Sequence, residues 1–255
     1  MHSQRFILLS FDVEEFDIPL EYKQNILPQE QMIMGKMGLD VMMQLLQQQD
    51  IATTLFTTAN FAVHFPSEIK QLSASHEIGS HTYFHSSFQE SDLLSSRKKL
   101  EEITGTNVCG LRMPRLRPVD MKAVKDAGYL YDSSINPTYL PGRYDNRHLP
   151  RTVYLEESVL RVPASVSPGF RIPLFWLAFK NFPYWFYKKL ALQTLKKDGY
   201  LCIYFHPWEL VSLADYDLPF YIKKHSGQRM TDALNRLIND LKKEGDFVKM
   251  KDLLF

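Results

Sequence analysis

The chain has 255 residues and a formal net charge of +1, and 45% of its residues are apolar while 23% are charged. This composition is typical of a globular protein with a hydrophobic core. The near-neutral charge argues against an electrostatic nucleic-acid binder, which normally carries a strongly basic face. We predict one domain over residues 1–255, because the sequence shows no repeat, linker or low-complexity tract.

Two features concern the location of the protein. The amino-terminal residues pass directly into a short apolar run and then into acidic residues, a pattern unlike a secretion signal. Cys109 and Cys202 lie in apolar, strand-like runs, which is typical of free buried thiols in a reducing compartment. We therefore expect a cytoplasmic protein.

The first half of the chain alternates between predicted strands and helices. The apolar run RFILLSFDV at 5–13 predicts a buried strand, and the β-branched and aromatic run at 52–61 predicts another. Between them, Met, Leu and Val recur at helical spacing over 32–50. The alternation of strand and helix continues through the segments 76–81, 90–105, 107–114 and 120–134. Repeated βα units of this kind indicate a mainly parallel sheet.

The second half is less regular. The segment 152–165 predicts one or two strands, 200–210 a final core strand, and 227–254 a closing helix and strand. The aromatic stretch at 170–192 predicts a helix, and it is interrupted by Lys180, Pro183 and other polar residues. It therefore falls short of the ~20 apolar residues that a membrane-spanning helix needs.

Residues that can carry chemistry follow the predicted strands. In parallel βα folds, the loops after the carboxyl ends of the strands converge and form the active site. Asp12, Glu14, His81, Arg112 and His206 all lie at or just after such strand ends. We therefore predict that these five residues form one site.

Two acids and two histidines suggest a metal centre within that site. Asp12 and Glu14 are two residues apart and would point to the same side of an extended strand, while Glu15 would point away. His81 and His85 are four residues apart, so their imidazoles are neighbours on a helical turn. Each pair alone is compatible with a solvated strand end or with ordinary hydrogen bonds. Two imidazoles with one carboxylate, however, leave a coordination position open for water, as catalytic zinc requires.

Five segments resemble, in order and rough spacing, the motifs of the polysaccharide deacetylase family, also called the NodB-homology family or carbohydrate esterase family 4. They are SFDVEEF, HEIGSHTYFH, GLRMPRLRP, YLYDSSI and YLCIYFHPWEL, and the likeness spans residues 6–210. It is closest to a subgroup with an Asp-Val-Glu first motif and a His-Pro-Trp-Glu last motif. The resemblance implies a distorted (β/α) barrel, often seven-stranded, that hydrolyses an N-acetyl or related carbon–nitrogen bond with a divalent metal, commonly zinc.

The resemblance also implies a role for each candidate residue. It makes Asp12 the general base and His206 the general acid. The metal ligands that it implies are Glu14, His81 and His85.

The resemblance also implies roles for residues around these five. Arg112 would orient Asp12, and the backbone N–H of Arg115 would help to stabilise the oxyanion. Tyr83 and Trp208 are candidates for contact with the substrate. Trp208 and the aromatic stretch at 170–187 have two interpretations, as packing of the core or as a wall that faces a sugar ring.

The sequence departs from the common family pattern in two places. Many members open with Thr-Phe-Asp-Asp-Gly, but Val13 occupies the position of the second aspartate here, so the ligand would be Glu14 or Glu15. Strand alternation favours Glu14. The side chain of Arg115 would bring a cation to the rim of the site, which would suit an acidic sugar or a phosphate.

Three functions remain open from the sequence. The leading hypothesis is metal-dependent N-deacetylation of an amino sugar in a polysaccharide or its precursor, with an N-acetylated carbohydrate as partner. A precursor linked to lipid would bring the stretch at 170–192 into transient contact with a membrane surface. The second is metal-independent hydrolysis of a cyclic amide or ureide such as allantoin, and the third is a non-catalytic carbohydrate-binding protein.

Overall fold

The computed structural model describes residues 4–254. The strands are β1 Phe6–Val13, β2 Thr54–Thr57, β3 Glu77–Ser80, β4 Gly110–Leu111, β5 Tyr131–Asp132, β6 Tyr139–Leu140, β7 Tyr144–Asp145, β8 Tyr154–Glu156, β9 Val159–Arg161, β10 Tyr200–Phe205 and β11 Asp246–Phe247. The helices are α1 Ile18–Glu21, α2 Pro28–Gln49, α3 Ala59–His64, α4 Pro66–Ser73, α5 Ser91–Thr104, α6 Met121–Asp126, α7 Trp176–Asn181, α8 Tyr184–Asp198, α9 Phe220–Lys223 and α10 Gln228–Leu241. Short 3₁₀ turns cover Pro114–Leu116, Pro207–Leu210 and Met250–Leu254.

Most strands form one curled, nine-stranded sheet in the order β10-β1-β2-β3-β4-β5-β9-β8, with β11 paired to the start of β1. All pairings from β10 to β9 are parallel, and β8 joins β9 as an antiparallel hairpin. The open side is bridged after β9, where Ser165 N–H donates to the Cys202 carbonyl at 2.8 Å. The predicted distorted (β/α) barrel is therefore confirmed, with seven strands along the described parallel path from β10 to β9.

The central strand β1 shows why the sequence folds in this way. Its residues from Ile7 to Val13 are buried on both faces, which explains the continuous apolar run. The odd-numbered residues pack under the helices in the main core. Leu8 belongs to a second apolar cluster, whereas Ser10 and Asp12, next along the same face, are buried polar residues. The interior of the barrel is therefore apolar at one end and polar at the other.

Most predicted elements are present, but two predictions were wrong in part. The run at 52–61 is a strand only over Thr54–Thr57, because Thr58 accepts a hydrogen bond from the Phe61 N–H and begins α3 as its N-cap. The aromatic stretch is two helices, since Pro183 separates α7 from α8, and 170–175 is not helical. Among the described residues, no helix is long and apolar enough to cross a membrane.

Helix α2 packs directly against the 3₁₀ turn Pro207–Leu210 that follows His206. Gly38 makes this close approach feasible, because a Cβ atom at this position would overlap the backbone of Pro207 and Trp208. The packing fixes the turn that carries the last of the predicted site residues.

We predict that Gly38→Ala lowers the free energy of unfolding by about 1–3 kcal/mol, since the added methyl forces α2 away from the turn. The higher helix propensity of alanine alone would instead raise the free energy of unfolding by about 1 kcal/mol. Chemical unfolding measures the difference, with Met37→Ala on the exposed side of the same helix as control. A stabilised Gly38→Ala variant would contradict the packing argument.

Candidate active site

The structure brings the five residues predicted from the strand ends to one place. Four of them, Asp12, Glu14, His81 and His206, line a cavity of about 300 Å³, together with His85. The fifth, Arg112, lies directly behind Asp12 and is fully buried. The cavity opens where β1, β3 and β10 end, as expected for a parallel βα fold.

Three side chains meet at one point in the cavity. Glu14 Oε2 lies 3.1 Å from His81 Nε2 and 3.0 Å from His85 Nε2. One ligand atom from each residue lies within 4.8 Å of the other two, and all three residues are buried. This cluster could hold a metal ion.

The hydrogen bonds behind the two rings determine which nitrogen faces Glu14. His81 Nδ1 lies 2.7 Å from the Arg112 carbonyl oxygen, and because a carbonyl only accepts, Nδ1 must carry the proton. His85 Nδ1 likewise lies 2.7 Å from Asp17 Oδ1. Both rings therefore present Nε2 to Glu14, in the orientation that metal-ligating histidines adopt.

Glu14 has one satisfied and one unsatisfied oxygen. Its Oε1 accepts a hydrogen bond of 3.1 Å from the Trp208 indole N–H. Its Oε2 is buried and has no hydrogen-bond partner within residues 4–254. This buried carboxylate oxygen and the two imidazole nitrogens that face it offer three ligand atoms of the kinds that zinc prefers. Three ligands would leave a coordination position open.

The charges of the cluster shift its proton affinities. Burial alone would raise the pKa of Glu14, but the charges of His85 and His206 hold it well below its usual range. Burial would lower the pKa of His85, yet the carboxylates of Glu14 and Asp17 raise it to about 9. A metal ion must therefore displace a proton from His85 at neutral pH.

The structure also separates Glu14 from Glu15. The Glu15 carboxylate accepts hydrogen bonds of 2.6 Å from the Thr58 hydroxyl and from the Asn60 amide. It is thus occupied on the other side of the chain, as strand alternation predicts. Only Glu14 of the two belongs to the cluster.

Asp12 is held by a buried arginine. Arg112 donates a hydrogen bond of 2.7 Å from Nη1 to Asp12 Oδ1, and further bonds to Ser10 and Ser133. The guanidinium lies over the rings of Phe56 and Tyr204. The expected contact between Arg112 and Asp12 is present, and it leaves Asp12 Oδ2 free to face the cavity.

His206 lies opposite Asp12. Its Nε2 is 3.9 Å from Asp12 Oδ2 and 4.0 Å from Glu14 Oε1. On the other side of the ring, Nδ1 lies 3.1 Å from Glu209 Oε1. Burial would lower the pKa of His206, but the charge of Glu14 and the hydrogen bond to Glu209 raise it. The ring therefore favours the protonated form.

Arg115 lines the cavity, but it is not a free cation. Its guanidinium donates to Asp17 Oδ2 at 2.9 Å and also to Glu21. Both carboxylates are shared with another cation, Asp17 with His85 and Glu21 with Arg143. An acidic sugar or a phosphate at this rim therefore stays a prediction. Its backbone has φ of 56°, in the left-handed region, within the turn Pro114–Leu116.

Of the two aromatic residues predicted to contact the substrate, only Trp208 lines the cavity. Only 1% of Trp208 is exposed, and its indole N–H is bonded to Glu14. Tyr83 is half-buried and does not line the cavity. Phe175 and Trp176 also line the cavity, together with Tyr22, Tyr144, Tyr204 and Tyr221. The stretch at 170–187 thus supplies part of the wall as well as core residues.

Sequence reasoning missed Asp17 and Glu209, which hold His85 and His206 from behind. Glu209 follows His206 by three residues, and on a short turn this spacing brings the side chains together. Asp17 had no comparable signal, because its contact with His85 depends on the turn between β1 and α1.

Residues 36–131 match the family model of the polysaccharide deacetylases. The chain carries a polysaccharide deacetylase domain. The family inferred from the motifs is thereby confirmed, whereas the subgroup with the Asp-Val-Glu and His-Pro-Trp-Glu motifs stays a prediction. No curated protein sequence matches the chain.

Solved structures share the fold of this deacetylase domain. A probable polysaccharide deacetylase from Pseudomonas aeruginosa is 17% identical, with a TM-score of 0.69, and the match covers 98% of this chain and 90% of that one. The Puue allantoinase is 19% identical with a TM-score of 0.68, covering 99% and 90%. A pseudoenzyme of carbohydrate esterase family 4 from Bacillus anthracis is 12% identical with a TM-score of 0.55, covering 100% and 67%. The fold therefore occurs in proteins with different activities.

We predict that zinc binding to the metal-free protein at pH 7 releases about one proton from His85, because the ring must lose its proton to bind metal. As the pH rises towards about 9, the pKa of His85, this release decreases and the apparent affinity increases. Isothermal titration calorimetry in buffers of different ionisation enthalpy counts the protons. Asp17→Asn removes one of the acidic partners and is expected to release fewer. Binding at pH 7 without proton release would contradict this description.

Proposed function

We propose that the chain is a metal-dependent hydrolase that removes an N-acetyl group from an amino sugar, in a polysaccharide or in its precursor. The observation that supports this most strongly is the unpaired Oε2 of Glu14 between the Nε2 atoms of His81 and His85. It lies in the same cavity as Asp12 and His206, which are suited to move protons. The family match and the aromatic cavity wall agree with a carbohydrate substrate.

The ligand set suits zinc, since two imidazoles and one carboxylate are typical of its catalytic sites. A divalent cation held by Glu14, His81 and His85 would polarise the amide carbonyl and lower the pKa of a water molecule to ~7. Asp12 accepts the proton of the water that attacks the acetyl carbon. Its hydrogen bond to Arg112 keeps Oδ1 occupied, so the free Oδ2 takes this proton.

The leaving nitrogen needs a proton before the carbon–nitrogen bond breaks. His206 Nε2 faces the cavity at 3.9 Å from Asp12 Oδ2, so the two groups are close enough to serve opposite sides of one substrate. The charge of Glu14 and the hydrogen bond to Glu209 raise the pKa of His206, which favours the protonated ring that this step needs. The backbone N–H of Arg115 is the proposed donor to the oxyanion. The products are acetate and a free amine.

Two other functions remain as outcomes of a substrate test. Hydrolysis of a cyclic amide or ureide is favoured by one observation, the equally good fold match to an allantoinase. The third candidate is carbohydrate binding without turnover, and the pseudoenzyme from Bacillus anthracis shows that this fold also occurs without enzymatic activity. Metal-loaded protein is incubated with N-acetylated oligosaccharides, allantoin and cyclic imides, while acetate release and ring opening are measured. Acetate from the sugars alone supports the proposal. Ring opening alone, or sugar binding without products, would replace it.

We predict that Asp12→Asn lowers kcat for acetate release at least about 100-fold, because the base is lost while the shape and the contact with Arg112 are kept. Metal content by plasma mass spectrometry is expected to stay unchanged. Asp240→Asn, which breaks an ion pair with Lys188 outside the cavity, is the matched control. Full turnover in Asp12→Asn would show that another group is the base.

A further inference from the structure

A buried lysine lies behind the cavity wall, and the proposed reaction does not use it. Lys180 in α7 and Glu209 in the turn after β10 both have side-chain exposures of 0%, and Lys180 Nζ lies 3.5 Å from Glu209 Oε2. An ammonium group is very unfavourable in such a place without a partner of opposite charge. Lys180 is therefore the counter-ion of Glu209.

Two tryptophan rings lie beside this buried pair. Lys180 Nζ lies 5.7 Å from the ring centroid of Trp176 and 6.0 Å from that of Trp208. Within residues 4–254, neither Lys180 Nζ nor Glu209 Oε2 has a hydrogen-bond partner. The two charges thus interact in a medium of low polarity, where their attraction is stronger than at the surface. Movement of one group away from the other is strongly disfavoured.

The second oxygen of Glu209 connects this ion pair to His206. Glu209 Oε1 accepts a hydrogen bond of 2.9 Å from the His206 backbone N–H and lies 3.1 Å from His206 Nδ1. With Nδ1 held in this way, the opposite nitrogen, Nε2, points into the cavity. The orientation of the ring therefore depends on where the Glu209 carboxylate lies.

We infer that Lys180 is a positioning residue, which fixes the Glu209 carboxylate and through it the imidazole of His206. This inference rests on the proposed function, in which His206 donates a proton to the leaving nitrogen. Turnover would then depend also on a residue of α7 that lies 26 positions before His206 in the chain. Loss of Lys180 should affect the chemical step more than substrate binding, because the lysine does not line the cavity.

The test compares acetate release by metal-loaded wild type, Lys180→Met and a matched control, Lys188→Met. The control removes a lysine from α8 whose partner, Asp240, lies outside the cavity. We expect Lys180→Met to lower kcat about 10-fold or more with KM changed by less than about threefold, and Lys188→Met to change neither. Lys180→Gln replaces Lys180→Met under the same criteria if the methionine variant does not fold. Wild-type kcat in the folded Lys180 variant would overturn the inference.

A double variant separates positioning from a general loss of stability. If Lys180 acts through Glu209, the kcat of Lys180→Met/Glu209→Gln should lie within about threefold of that of Glu209→Gln alone. This variant also leaves no unpaired buried charge. Losses that multiply, with the double variant falling another tenfold or more, would contradict action through Glu209.

A structural readout distinguishes failure of the positioning role from failure of the proposed function. If wild type releases no acetate from any sugar, the proposed function fails, and crystal structures still test the positioning. In Lys180→Met, the Glu209 carboxylate is expected to turn away and the His206 ring to lose its bond at Nδ1. An unmoved Glu209–His206 contact in that variant would overturn the inference, whatever the substrate.

Discussion

The buried guanidinium of Arg112 is the group on which the rest of the site depends. Its side chain joins Asp12 on β1 to Ser133 after β5, and its own carbonyl oxygen accepts a hydrogen bond from His81 Nδ1–H. One residue therefore orients the candidate base and one candidate metal ligand. A fully buried cation must be paired, because leaving it without an anion costs several kcal/mol. The ends of β1, β3 and β4 are thus held together by the residue that also organises the chemistry.

The same arrangement recurs around the cavity, since each candidate group has a fixed partner behind it. Such contacts hold the reacting atoms in place before the substrate arrives, so that little reorganisation is needed during the reaction. They also select the ring nitrogen that each histidine presents. The partners are Arg112 for Asp12 and His81, Asp17 for His85, Glu209 for His206 and Trp208 for Glu14.

The sequence predicted those features that depend on local spacing. Strand alternation separated Glu14 from Glu15, and the βα pattern predicted that the strand ends would converge. The partners behind the site could not be predicted, because contacts such as Lys180 with Glu209 join segments that meet only in the folded barrel. In the sequence, Lys180 was only a charge that interrupts an apolar stretch. Two-residue strands such as β4 and β5 are likewise defined by their neighbours in the sheet rather than by their own pattern.

The proposed metal centre consists of Glu14, His81 and His85. The most direct measurement is anomalous diffraction at the zinc absorption edge, from crystals grown with zinc. We expect one strong anomalous peak within about 2.0–2.2 Å of Glu14 Oε2 and of the Nε2 atoms of His81 and His85. Crystals without a peak at this position, in which the Nε2 atoms of His81 and His85 stay 3.1 and 3.0 Å from Glu14 Oε2, would contradict it.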